Sequence, residues 1–133
     1  MHILHLEDDG PLREVLKLAL TSVEPELTMQ QFTNADFALD YVADHLDEID
    51  LYILDIRVPG KLDGLAFAEQ LRKMGAIRPI VITSAYQKPN TNWLTSVQCE
   101  WMSKPWHILN AAQKIIPLAR GDNIPGAASP LAD

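Results

Sequence analysis

Residues 51–60 read LYILDIRVPG, with Asp55 at the centre: an apolar and aromatic run, Leu51–Leu54, leads into the carboxylate, and Pro59-Gly60 then breaks the chain. A short apolar run bounded by turn residues reads as a buried strand. Asp55 would sit at its carboxyl end, the edge where open α/β sheets bind ligands. A carboxylate there is a nucleophile, a metal ligand or the cap of the next loop, and this stretch alone leaves the three open.

Strands and helices alternate on either side. Ile3–Leu6 is an apolar run containing His5, and Gly10-Pro11 supplies an N-cap and first position for a helix whose face is Leu12, Val15, Leu16 and Ala19. Residues 26–32 form a weaker strand. Asn34 caps a second helix with the stripe Ala35, Ala38, Leu39, Val42 and Leu46. After the Asp55 strand, Asp63 caps a third helix that carries Phe67, Ala68, Leu71 and Met74 and stops at Gly75. Residues 79–82 make a fourth strand ending at Thr83, and 99–102 a fifth ending near Lys104. A last helix carries Ile108, Ala111, Ala112 and Ile115, with Pro117 as its expected end. Residues 88–96 are rich in Pro, Asn, Thr and Ser, so the helix due there should be short or irregular. Residues 121–133 lack periodicity and read as a tail or linker after a domain spanning 1–120. Fivefold alternation gives an α/β sandwich with a mainly parallel sheet and right-handed crossovers.

Composition narrows the classes. The 133 residues suit one domain with a sizeable core, and 47% hydrophobic with 22% charged residues is ordinary for a globular protein. A net charge of -7 argues against direct nucleic-acid binding. Cys99 is the only cysteine, which excludes an intrachain disulfide and a cysteine zinc site. No apolar run approaches a membrane span, and the N-terminus turns acidic by position 7, unlike a secretory signal. A cytoplasmic protein that does not engage membranes is expected.

The polar residues that interrupt the apolar pattern all fall at strand ends: Glu7, Asp8 and Asp9 after the first, Asp55 after the third, Thr83 after the fourth and Lys104 after the fifth. Clustered carboxylates need a compensating cation, and an all-oxygen set suits Mg²⁺. Lys104 offers a point charge for a phosphate oxygen and Thr83 a hydroxyl. An Asp carboxylate can itself accept a phosphoryl group, a transfer that needs mainly positioning and charge neutralisation.

On the acidic group of HLEDD, the D-x-x-x-P-G turn at Asp55, Thr83-Ser84-Ala85 and Lys104-Pro105, the chain from Met1 to about Arg120 resembles a receiver domain of a two-component response regulator. The resemblance implies a flavodoxin-like, doubly wound three-layer sandwich with a five-stranded parallel sheet of order 2-1-3-4-5. It implies Asp55 as phosphoacceptor and Mg²⁺ ligand, Asp8 as a direct Mg²⁺ ligand, Glu7 acting on the ion through water, and Arg57 lending its backbone carbonyl. It further implies Thr83 as the switch hydroxyl, Lys104 as the phosphate-binding lysine, Trp101 at the switch-aromatic position and a cis bond before Pro105. The expected partners are a histidine kinase or histidine phosphotransfer protein upstream, and a protein partner or a second copy downstream. Two departures stand out: PGKLDG is one residue longer than the commonest form of this loop, and Trp101 is larger than the usual Tyr or Phe.

Blander readings exist for each residue. Asp55 alone would cap a loop, Thr83 alone would be a buried strand-end hydroxyl, and Lys104 alone a solvated lysine. Asp9 suits the N-terminus of the first helix electrostatically. Trp101 can be packing as readily as a switch, and His2 and His5 read as strand packing. His45 and His107 have no sequence link to the cluster. Two other functions compete with a phosphorylated switch. An Mg²⁺-dependent phosphohydrolase of the haloacid-dehalogenase type would carry D-x-D, whereas Arg57 holds the second position here. A phosphorylation-independent interaction module would not need Asp8, Thr83 and Lys104 together.

Overall fold

The computed structural model describes residues 1–121; apart from Gly121, the segment expected to be a tail or linker lies outside the described residues. The elements run β1 (His2–Leu6), α1 (Gly10–Val23), β2 (Thr28–Phe32), α2 (Ala35–His45), a 3-10 turn (Leu46–Glu48), β3 (Leu51–Asp55), α3 (Gly64–Lys73), β4 (Ile80–Ser84), α4 (Thr91–Val97), β5 (Cys99–Ser103) and α5 (Ile108–Arg120). All four strand pairings are parallel, in the order β2-β1-β3-β4-β5. This is the flavodoxin-like sheet that the resemblance implied.

Alternation along the strands divides the core into two layers. Leu4, Leu6, Tyr52, Leu54, Ile80 and Ile82 pack with Ala38 and Val42 of α2, Phe67 and Leu71 of α3, and Leu94 of α4. Ile3, Leu51, Ile53 and Val81 pack on the other side with Leu16 and Leu20 of α1 and Ala112 and Ile115 of α5. β3 and β4 are buried on both faces, as parallel central strands should be.

The helix ends follow local chemistry, with three differences from the sequence reading. Asp9, not Gly10, is the N-cap of α1, and its side chain accepts from the Leu12 N–H at 3.1 Å. The buried face of the helix is also displaced: Leu20 joins Leu16 in the core, while Val15 is exposed. Pro117 lies inside α5 rather than ending it. It comes in the final turn, where the carbonyl it leaves unpaired belongs to exposed Gln113, within reach of water. Gly121 ends the helix at φ 74°, donating its N–H to the carbonyls of Leu118 and Pro117. α4 is only seven residues long, as its composition implied.

His5 is completely buried in this fold, on the α5 side of β1. Its Nδ1 meets Gln31 Nε2 at 3.1 Å, and because an amide nitrogen can only donate, Nδ1 is the acceptor and the proton sits on Nε2. Nε2 has no partner. Burial, reinforced by the charges of Lys104 and Arg13, lowers the imidazole to a pKa of about 3. The folded state therefore excludes a proton that the unfolded chain binds below about pH 6.5. The stability from keeping His5 neutral is fully present above that pH and is lost as pH falls toward 3, by roughly 1.4 kcal/mol per pH unit. We expect His5→Gln to flatten the acid limb of a urea-unfolding series between pH 6 and 4 by about one proton's worth of slope. An unchanged limb would assign acid sensitivity to other groups.

Candidate functional site: an acidic pocket at the carboxyl edge of the sheet

Glu7, Asp8, Asp55, Thr83 and Lys104 meet at one end of the sheet because parallel strands bring all their carboxyl ends to the same edge. Asp55 pairs in register with Thr83, and the Ile56 N–H donates to the Thr83 carbonyl at 3.1 Å. Lys104 is tied to the end of β4 by its N–H, which donates to the Ser84 carbonyl at 2.9 Å. The Lys104–Pro105 peptide is cis. Arg13 of α1 holds the other rim by donating to the Glu7 carbonyl at 2.8 Å.

Carboxylate oxygens of Glu7, Asp8 and Asp55 all lie within 4.8 Å of one another. Glu7 and Asp55 are buried, at 1% and 5% exposure, whereas Asp8 is open to solvent. Lys104 Nζ lies 2.5 Å from Glu7 Oε1 and 3.2 Å from Asp55 Oδ2, so one ammonium bridges two buried carboxylates. Burial raises the Glu7 pKa, and the charge of Asp55 adds to that shift, outweighing the opposing hydrogen bond from Lys104. Burial works against the charge of Lys104, but its hydrogen bond to Glu7 and the charges of Glu7 and Asp55 outweigh it, and its pKa rises. Three carboxylates facing one lysine leave a local excess of negative charge, with oxygen donors only. That donor set fits a hard divalent cation, Mg²⁺ above all.

The loop after β3 depends on one glycine. A Cβ on Gly64 would lie 2.1 Å from the Asp55 carbonyl oxygen and 2.9 Å from Ile56 Cα, so any side chain there would push the Asp55 backbone aside. The Gly64 N–H also donates to the Ile56 carbonyl at 2.9 Å, closing the loop behind Asp55. Within the PGKLDG path, Gly60 takes φ 109° beside Asp36 and Asn34 at the start of α2, a conformation that favours glycine.

Arg57 is exposed, its guanidinium 4.1 Å from the centre of the Tyr86 ring. Trp101 is half-buried and packs with the core layer of α2, α3 and α4, opposite in strand alternation to Val81 and Thr83. The aromatic that touches Thr83 is Trp106, whose Nε1–H donates to Thr83 Oγ1 at 2.8 Å. The sequence reading passed over Trp106. Its only signal was proximity, two residues beyond Lys104 across Pro105. His45 stacks on Tyr41 at 4.0 Å, and His107 precedes α5; neither enters the pocket.

Residues 3–107 match the family model described as the response regulator receiver domain. The chain belongs to that family. Receiver domains are signalling switches that hold Mg²⁺ at an acidic pocket of this kind. This receiver is 33% identical over 82 residues to the cyclic di-GMP phosphodiesterase response regulator RpfG of Xanthomonas campestris, an alignment covering 62% of this chain and 21% of RpfG. It is 33% identical over 81 residues to the DNA-binding transcriptional regulator NtrC of Escherichia coli, covering 61% of this chain and 16% of NtrC. The matches thus span only a small part of these relatives. Among solved structures, it resembles the CheX-CheY-BeF3-Mg complex from Borrelia burgdorferi with a TM-score of 0.78 at 18% identity, covering 89% of this chain and 88% of that one.

Two outcomes test the geometry. Lys104→Met leaves two buried carboxylates uncompensated, which should cost about 3 kcal/mol of stability in metal-free buffer at pH 8. Without the lysine, Glu7, already raised by burial, loses the interaction that opposes the shift, so the loss grows as pH rises from its unfolded value through its folded one. Urea unfolding should therefore show a smaller deficit at pH 5 than at pH 8. Gly64→Ala should weaken Mg²⁺ binding, measured by titration calorimetry, by displacing Asp55 even though it removes no ligand.

Proposed function

We propose that this receiver takes a phosphoryl group onto Asp55 from a histidine kinase or a histidine phosphotransfer protein and converts it into a change at a partner-binding face. The observation that carries the reading is the ammonium of Lys104 shared between Glu7 and Asp55 beside an exposed carboxylate, Asp8. This is a pocket with charge stabilisation in place and one open side.

In the transfer, the N–P bond of a phosphohistidine breaks as an O–P bond forms at an Asp55 carboxylate oxygen, and the leaving imidazole takes up a proton. Asp55 and Asp8 would hold Mg²⁺ directly, with the Arg57 carbonyl and, through water, Glu7; when bound, the ion neutralises charge on the phosphoryl oxygens. Lys104 would exchange its contact with Asp55 for a phosphoryl oxygen while keeping Glu7, so its charge moves with the group it stabilises. Thr83 would donate its hydroxyl to another phosphoryl oxygen. Phosphorylation then acts as a covalent ligand that biases a two-state equilibrium.

Trp101 would report that equilibrium on the α4 side of β5, where a downstream protein or a second copy of the chain would dock. Residues 1–120 would form the receiver unit and 121–133 its tail or connection. The setting is cytoplasmic, in keeping with the absence, among the described residues, of any helix long and apolar enough to cross a membrane. The domain is a switch rather than a turnover enzyme, with self-phosphorylation and self-dephosphorylation as its only chemistry. Arg57 in the second position after Asp55 disfavours a phosphohydrolase, which would use a carboxylic acid there.

The test is labelling by a radioactive small phosphodonor with Mg²⁺. The intact protein should incorporate about one phosphoryl group, and Asp55→Asn none; label that persists in Asp55→Asn sinks the assignment. Asp8→Ala should lower Mg²⁺ affinity by about tenfold or more, as expected for loss of a charged ligand.

A further inference from the structure

The indole of Trp106 touches the polar machinery at more than one point. Its Nε1–H donates to Thr83 Oγ1 at 2.8 Å. Its ring centre lies 5.5 Å from Lys104 Nζ, within cation–π range. Its other neighbour is the buried ring of His5, centre to centre 6.0 Å and tilted by 52°. The indole is half-buried, and its outer edge lines a groove of about 240 Å³ with Met102, His107, Asn110 and Lys114. It therefore reaches from the side chains beside Asp55 to the surface at the start of α5.

The polarity of the contact with Thr83 matters most. An indole nitrogen can only donate, whereas a hydroxyl both donates and accepts. Thr83 Oγ1 is completely buried and must accept from Trp106, so its own proton is directed away from the indole. Thr83 pairs in register with Asp55, and strand alternation puts both side chains on the same face of the sheet. We infer that Trp106 is a positioning residue for Thr83, fixing its oxygen as an acceptor and so reserving its proton for a phosphoryl oxygen on Asp55. This rests on the reading of Asp55 as phosphoacceptor. It is distinct from the role proposed for Trp101, which packs with the other core layer. A phenylalanine at 106 would keep the packing on His5 and the ring face near Lys104 but would lose the donor.

The intact chain is titrated with beryllofluoride, a mimic of the phosphoryl group, in the presence of Mg²⁺. Binding is followed by the fluorescence of Trp106 in a Trp93→Phe, Trp101→Phe background and, for variants at 106, by calorimetry. Trp106→Phe should weaken beryllofluoride binding by about five- to tenfold, the loss of one aligned hydrogen bond. In a Thr83→Ala background the same change should have almost no further effect, and Thr83→Ser, which keeps the hydroxyl, should restore the sensitivity to Trp106→Phe. A merely structural role would produce the same loss whether or not residue 83 carries a hydroxyl. Equal losses in both backgrounds, or affinity of Trp106→Phe equal to or tighter than that of the parent, overturns the inference while leaving Asp55 as acceptor. If the parent protein itself shows no Mg²⁺-dependent binding, and no label in the phosphodonor experiment, the acceptor reading fails and this one fails with it.

Discussion

One ammonium between two buried carboxylates governs this domain. Lys104 touches both Glu7 and Asp55, and these three side chains come from the ends of β1 and β3 and from the segment after β5. Burying two carboxylates side by side is unfavourable unless a cation sits with them, and removing a lone partner from such a cluster costs far more than an exposed ion pair contributes. The sheet must therefore close with β5 in place before the centre of the pocket is electrostatically tolerable. The linkage ties the integrity of β5 and of the turn into α5 to the state of Asp55, about fifty residues earlier in the chain.

That constraint explains why the pocket is poised rather than satisfied. Lys104 compensates one charge, and Asp8 remains exposed and uncompensated by it. A divalent cation would find oxygen donors already within 4.8 Å of one another. A phosphoryl group would find a lysine that can change partners without leaving Glu7. The cation would relieve an imbalance that the fold holds in place, and the phosphoryl group, which adds negative charge, would draw Lys104 toward itself, which is how a small electrostatic event can be given leverage over packing.

Much of this was legible from sequence because charge in an apolar context is conspicuous. Asp55 and Thr83 end runs that are buried throughout, and Lys104 follows a fifth, only partly buried strand, so the parallel sheet brings the three together at one edge. The capping roles of Asn34 and Asp63 were equally visible, since their side chains accept from Phe37 and Ala66 as their positions imply. Less legible was anything that depends on rotation by one residue. The cap of α1 falls at Asp9 rather than Gly10, and its core face takes Leu20 in place of Val15, differences that a helical stripe read by spacing alone cannot resolve. Pro117 misled because proline's cost depends on whether the freed carbonyl can reach water, which is a property of the folded surface.

Trp101 and Trp106 show the limit most clearly. In sequence they are equivalent aromatics flanking Lys104, three before it and two after. In β5, alternation sends Trp101 toward the layer of α2, α3 and α4, and Thr83 belongs with the opposite layer. Trp106, beyond the strand and past the turn at Pro105, escapes that alternation and returns over the α5 side to meet Thr83. Spacing along a strand can assign a face, but it says nothing about a residue the chain delivers after a turn. The two tryptophans accordingly divide the labour: one contacts the hydroxyl beside Asp55, and the other faces the layer that contains α4, on opposite sides of the same sheet.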